Sequence, residues 1–135
     1  MIVCVCGGRD YYDIARLYRT LDAVNRETPI SQLVQGGQAQ FDKDLGVYIG
    51  ADFLADSWAW KRGVARREFK ARWIEFGPSA GPRRNKEMAE QSGMALCIAF
   101  PRANGEWGSG TLNMISHAER LGVSVRRIPN DEDDT

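Results

Sequence analysis

The chain has 135 residues, which suits one domain with one core, and its 43% hydrophobic and 27% charged content is ordinary for a soluble globular protein. With 18 Lys plus Arg against 18 Asp plus Glu, no global field draws the protein onto nucleic acid or a membrane. No apolar run approaches the ~20 residues needed to cross a bilayer, and the opening MIVCVC reads as a strand too short for a signal peptide, so a cytoplasmic location with no membrane partner is expected.

Residues 2–6 form a continuous apolar run, the signature of a central parallel strand covered on both faces. Ile14, Leu17, Leu21 and Val24 then recur at helical spacing and predict a helix over 12–26. A short strand is expected at 31–35. Leu54, Ala55, Trp58 and Ala59 make the inward stripe of a second helix ending at Gly63, with Trp58 and Trp60 assigned to helix packing. Residues 64–71 read as a weaker third strand. Pro82 suits the first position of a third helix, which Gly93 closes. Residues 94–100 are a second strongly apolar strand. A fourth helix over 111–121 carries Met114, Ile115, Ala118 and Leu121 inward, and 123–128 is the last strand. Residues 130–135 are an acidic tail expected to be disordered.

Alternation of this kind predicts an α/β fold with a parallel sheet and helices on both faces; the architecture expected is a Rossmann-like three-layer sandwich with a five-stranded parallel sheet in order 3-2-1-4-5. The domain covers 1–129, with an insertion at 38–49 longer than a usual connection. Phe41, Leu45, Val47, Tyr48 and Ile49 give that insertion apolar content. It reads as a lid, as an oligomer contact, or as a local excursion covering its own hydrophobic patch. Cys4, Cys6 and Cys97 fall inside strands and read as buried thiols; their spacing suits no zinc site, and no metal is expected.

Gly122, like Gly63 and Gly93, reads as a helix C-cap; the remaining glycines mark four strand-to-helix corners, which in an open α/β sheet lie at the ligand-binding edge. At the first corner, Gly7 and Gly8 permit a tight turn, Arg9 suits phosphate or carboxylate, and Asp10 suits a helix cap or a ribose hydroxyl. The second has Gly36 and Gly37, then Gly50 and Asp52 after the insertion. Asp52 falls in a helix's first turn, so capping is its first reading and ligand contact its second. At the third, Arg83, Arg84 and Lys86 occupy the first turns of a helix, where the macrodipole disfavours cations, with Asn85 among them. A docked anion would reconcile them. At the fourth, Gly108, Ser109, Gly110 and Thr111 suit a phosphate cradle, and Trp107 either stacks on a base or covers the loop. A Walker lysine is absent there. Trp73 is placed to wall the pocket. His117, mid-helix, is not at a corner.

The ordered set Gly7-Gly8-Arg9-Asp10-Tyr11, Gly36-Gly37, Gly50-Ala51-Asp52, Ala80-Gly81-Pro82 with Arg84-Asn85, Ala99-Phe100-Pro101 and Gly108 with Gly110-Thr111 resembles the SLOG superfamily, in particular its small YspA/YpsA-related members of bacteria and phages. The resemblance implies a Rossmann-type fold binding a nucleotide, a nucleotide-derived signal or, as in the DNA-processing branch, single-stranded DNA. It also implies a homodimer or higher homo-oligomer. The phosphoribohydrolase branch carries P-G-G-x-G-T-x-x-E, whose Glu takes part in N-glycosidic cleavage. Here the loop after Pro101 is longer and Met114 stands at the Glu position. The leading expectation is therefore a binding domain, acting as sensor, carrier or sequestering protein with no required cofactor. The alternative is an N-glycosidase of nucleoside monophosphates using Asp10, Asp52 or Glu106. The third is single-stranded DNA binding through Lys61, Arg62, Arg66, Arg67, Lys70 and Arg72, against which the zero net charge weighs.

Overall fold

The computed structural model describes residues 1–130. Of the expected tail, 131–135 lie outside the described residues. Asn130 is held in place: its side-chain amide donates to the carbonyls of Arg102 and Ala103, each at 3.2 Å.

Along the described residues the order is β1 (Ile2–Gly7), α1 (Ile14–Glu27), β2 (Gln32–Gln35), β3 (Gln40–Asp42), β4 (Val47–Ile49), α2 (Ala51–Arg62), β5 (Ala65–Glu68), α3 (Trp73–Phe76), a 3-10 turn (Gly77–Ser79), α4 (Ala80–Gln91), β6 (Leu96–Phe100), α5 (Ser109–Arg120) and β7 (Ser124–Arg127). The sheet runs β5-β2-β1-β6-β7 and every pairing in it is parallel. This is the expected order 3-2-1-4-5.

The two-residue period of a strand explains the layers. On β1, Val3 and Val5 point into one apolar cluster with Leu17, Leu21 and Val24 of α1 and Leu54 and Trp58 of α2. Cys4 and Cys6 point the other way, against Met88 of α4 and Met114, Ile115 and Ala118 of α5. All three cysteines are free and buried, as read from the sequence. Asp22 joins α1 to α2, accepting from the Trp58 indole and twice from Arg62, each at 2.9 Å. The Arg62 hydrogen bonds hold the Asp22 carboxyl below the usual range. The edge strand β5 is exposed along its length and carries Arg66, Arg67 and Glu68, a composition that discourages pairing with another chain.

The chain departs from expectation at several elements. Ile14 is exposed at the start of α1, because the helix begins there and only one turn later faces the sheet. Trp60 is 67% exposed and packs nothing into the core; it lies two residues from buried Trp58, on another face of α2. Leu121 is exposed just past the end of α5. The third helix starts at Ala80, so Pro82 is its third residue, and α3 with its 3-10 turn precedes it. Proline is tolerated there because the first amides of a helix have no intrahelical acceptor. The 38–49 insertion is a β-hairpin, with Phe41 opposite Tyr48. It does not cover its own apolar set: Ile49 is buried, while Phe41, Leu45, Val47 and Tyr48 are exposed.

Candidate functional site

From β1 the chain moves to β2 and β5 on one side, then returns to β6 and β7 on the other. The carboxyl ends of β1 and β6 therefore diverge into loops on opposite sides, and the crevice between them is the ligand position of open α/β sheets. A cavity of ≈ 810 Å³ lies there. Its lining includes Gly7, Gly8, Arg9, Asp10, Gly36, Asp52, Arg84, Asn85, Gly108, Ser109, Gly110 and Thr111. Of the residues singled out from the sequence as ligand-binding, Gly37 alone lies apart from this lining; it lines a neighbouring cavity. Trp73 stands in the walls of both.

Several of these residues hold the cavity's own walls. A Cβ at Gly8 would stand 2.6 Å from Arg102 Cα and 2.7 Å from the Pro101 carbonyl oxygen. Glycine is required there because, at the base of the crevice, the backbone at position 8 lies directly against the backbone of Pro101 and Arg102. The Gly8 amide donates to Phe100 at 3.2 Å, and the Gly8 carbonyl accepts from Ala51 at 3.1 Å. Asp10 is not the helix cap. Asp13 caps α1, accepting from the Arg16 amide at 3.1 Å, whereas Asp10 accepts from the Ala103 amide at 2.9 Å and clamps the fourth corner to the first. Asp52 does lie in the first turn of α2, as expected, but it makes no capping hydrogen bond. Gly50 is the N-cap of α2, without a side-chain cap, and Asp52 accepts from the Gln38 amide at 3.1 Å. Burial raises the Asp52 carboxyl to about 6, against the lowering effects of its backbone hydrogen bonds and of Arg84.

The cations at the third corner separate. Arg84 is buried and donates to the carbonyls of Gly36 and Phe69 and, through Nε at 2.8 Å, to Asn85. Asn85 passes the connection on, donating to the Gly110 carbonyl at 3.2 Å and to Asn113 Oδ1 at 3.0 Å. This pair therefore ties the second, third and fourth corners together. Arg83 turns outward, with its guanidinium 4.2 Å from the Phe76 ring centroid and Nε donating to Ser79. An anion is thus not needed to account for either arginine's placement.

The start of α5 is different. Gly108 is the N-cap and makes no side-chain cap hydrogen bond, and the first turn carries no acidic residue. A Cβ added at Gly110 would meet nothing within 4 Å. The amides of a helix's first turn have no intrahelical acceptor, and here they face the cavity with the positive end of the helix dipole. Met114 is buried one turn further along and lines the same cavity. Glu106 is outside it, exposed and hydrogen-bonded to Asn104. Trp107 packs against the α4–α5 core, with Arg127 over its ring at 5.3 Å, so it covers the loop rather than offering a face to the cavity. His117 occupies the last turn of α5, at the opposite end of the helix from the cavity.

The sequence reading missed Cys6, Gln38, Gln40, Arg102 and Asn113, which also line the cavity. Asn113 was within reach, since it lies three residues after Gly110 on one helical face. Gln38 and Gln40 carried no signal, because a hairpin brings them back to the sheet edge. In the basic run, Arg62 pairs with Asp22, Arg66 with Asp56 and Arg72 with Glu75, while Arg67 lies over Phe69. No helix among the described residues is long and apolar enough to cross a membrane.

Comparison with known proteins is consistent with this architecture. A family model described as the YspA, cpYpsA-related SLOG family matches residues 1–76. Over 130 residues the chain is 29% identical to the Gene 61 protein of Mycobacterium phage D29, covering 91% of this chain and 92% of that protein.

Proposed function

The chain belongs to the YspA, cpYpsA-related SLOG family, and from that membership and the geometry of the cavity we propose that it binds a nucleotide or nucleotide-derived small molecule as a sensor, carrier or sequestering protein. The observation that carries this reading is the open start of α5. Its first turn faces a cavity of ≈ 810 Å³ at the switch point of the sheet, with no side chain capping it. Such an end accepts an anion through backbone N–H groups without a dedicated cation. Ser109 and Thr111 add hydroxyl donors, and Arg9 and Asp10 face the same space from the first corner. The phosphate sits at 108–111 and the ribose lies toward the first corner. With methionine at position 114, the carboxylate that the phosphoribohydrolase branch carries at this place is absent beside the phosphate cradle.

Thermal-shift screening of the folded protein against mononucleotides, cyclic nucleotides and ADP-ribose derivatives tests the proposal. Saturating ligand raises the melting temperature by several degrees, as expected at concentrations on the order of a hundred times Kd. A folded protein that responds to none of them removes the reading.

One observation favours hydrolysis as a second reading. Asp52 is a buried carboxyl in the cavity wall that titrates at about 6, the range in which carboxyl groups serve as general acids or bases. Incubation with each nucleoside monophosphate and chromatography for free base decides it. Base release that is lost in Asp52→Asn supports an N-glycosidase, and no release leaves binding.

A further inference from the structure

The cavity at the switch point does not end at the second corner. A second cavity of ≈ 600 Å³ opens over the loop at 36–39, and Arg9, Gly36, Gln38, Trp73 and Arg84 line both. The two are parts of one cleft. Each alone falls within the ~300–1,000 Å³ typical of sites for small organic ligands, so the cleft has room for more than one nucleotide-sized unit.

The second cavity has its own chemistry. Trp73 is 49% exposed, and its ring rests against Gly81, where an added Cβ would lie 3.2 Å from the indole edge. The missing side chain at Gly81 thus seats the indole against the start of α4 and leaves it as a wall of both cavities. A half-exposed indole held in this way is a stacking surface for a base or sugar face. Glu68, the last residue of β5, contributes a carboxylate that can accept from a hydroxyl pair, and Lys70 contributes a cation. Arg9 stands at the junction, with its Nε donating to Gln38 Oε1 at 3.0 Å. The guanidinium is thereby held on the boundary with donors left for a phosphate oxygen.

We propose that the cleft takes a two-unit ligand: a nucleotide joined through its phosphates to a second nucleoside or sugar, with one unit in each cavity and the linking phosphates between the start of α5 and Arg9. This rests on the nucleotide-binding reading of the first cavity and names its ligand class.

Calorimetric titration with AMP, ADP and ADP-ribose, and with GMP, GDP and GDP-mannose, tests it. The two-unit ligand of at least one series binds about tenfold or more tighter than the mono- and diphosphate of that series. Glu68→Gln and Lys70→Ala, exposed positions lining the second cavity and not the first, abolish that advantage while the monophosphate Kd stays within about twofold. Equal affinity for one-unit and two-unit ligands overturns the inference and leaves the nucleotide-binding reading standing. So does an advantage that both variants retain, or a loss that falls equally on the monophosphate. Failure of every nucleotide to bind removes the nucleotide-binding reading itself, and this inference with it.

Discussion

Two glycine corners of this sheet lie side by side and do opposite work. At Gly8 the backbone is pressed against Arg102 and Pro101, so the missing side chain is filled by protein. At Gly110 the missing side chain leaves open space above the first turn of α5. The same residue type, directly after β1 in one case and in the first turn of the helix that follows β6 in the other, serves as a joint at Gly8 and an opening at Gly110. A glycine at a corner therefore does not by itself mark the approach of a ligand: at Gly8 the approaching group is the protein's own chain.

The largest effect is expected at the joint. Gly8→Val drives two methyl groups into the Pro101–Arg102 backbone and lowers stability by about 3 kcal/mol or more, read by urea denaturation. A fully folded variant of unchanged stability would mean the corner yields, and the contrast with Gly110 would collapse.

Asp52 is the intermediate case, buried and bonded to the loop at 36–38 yet part of the cavity wall. Its folded value of about 6 lies above an unfolded value of about 3.9. Below both values the carboxyl is neutral in either state and adds no pH dependence. Between them the folded state binds the extra proton, so stability falls as pH rises from about 4 to about 6 and is level above that. The loss amounts to about 2–3 kcal/mol. The difference in denaturation free energy between wild type and Asp52→Asn, followed from pH 4 to pH 8 (about the range that brackets both values), reads this directly. A difference independent of pH would place the Asp52 carboxyl in contact with water and return it to the opening's side of the comparison.

The smallest effect on stability is expected at the opening. Gly110→Ala is helical and unobstructed, and it leaves the fold unchanged or stabilises it by about 0.4–1 kcal/mol. If the proposed nucleotide docks its phosphate at the start of α5, the added methyl group obstructs it and nucleotide affinity falls about tenfold in calorimetric titration. An alanine variant that binds as well as wild type would show that the start of α5 is not where the anion docks.

Much of this architecture was legible because the strands announce themselves. Residues 2–6 and 94–100 are apolar without interruption, as strands of a sheet covered on both faces are, and Leu17, Leu21 and Val24 keep helical period. The hairpin and α3 were not legible, since their apolar residues remain exposed and obey no burial pattern. Ile74 in α3 is fully exposed. At the site, most of the cavity lining was found from glycine and charge at the corners, yet the work of single side chains was read less well. Arg84 looked like an anion ligand because its charge opposes the helix dipole. Only folding reveals that the Gly36 and Phe69 carbonyls, 48 and 15 positions away in sequence, take up its donors.

Local periodicity and glycine placement determined the elements, the layers and the strand-to-helix corners, because those depend on which residues repeat along each element and which follow it. Tertiary structure alone decided which glycines are joints and which are openings, and which polar groups are spent on the protein itself. Those outcomes depend on contacts between loops far apart in the chain, and no spacing within any one segment encodes them.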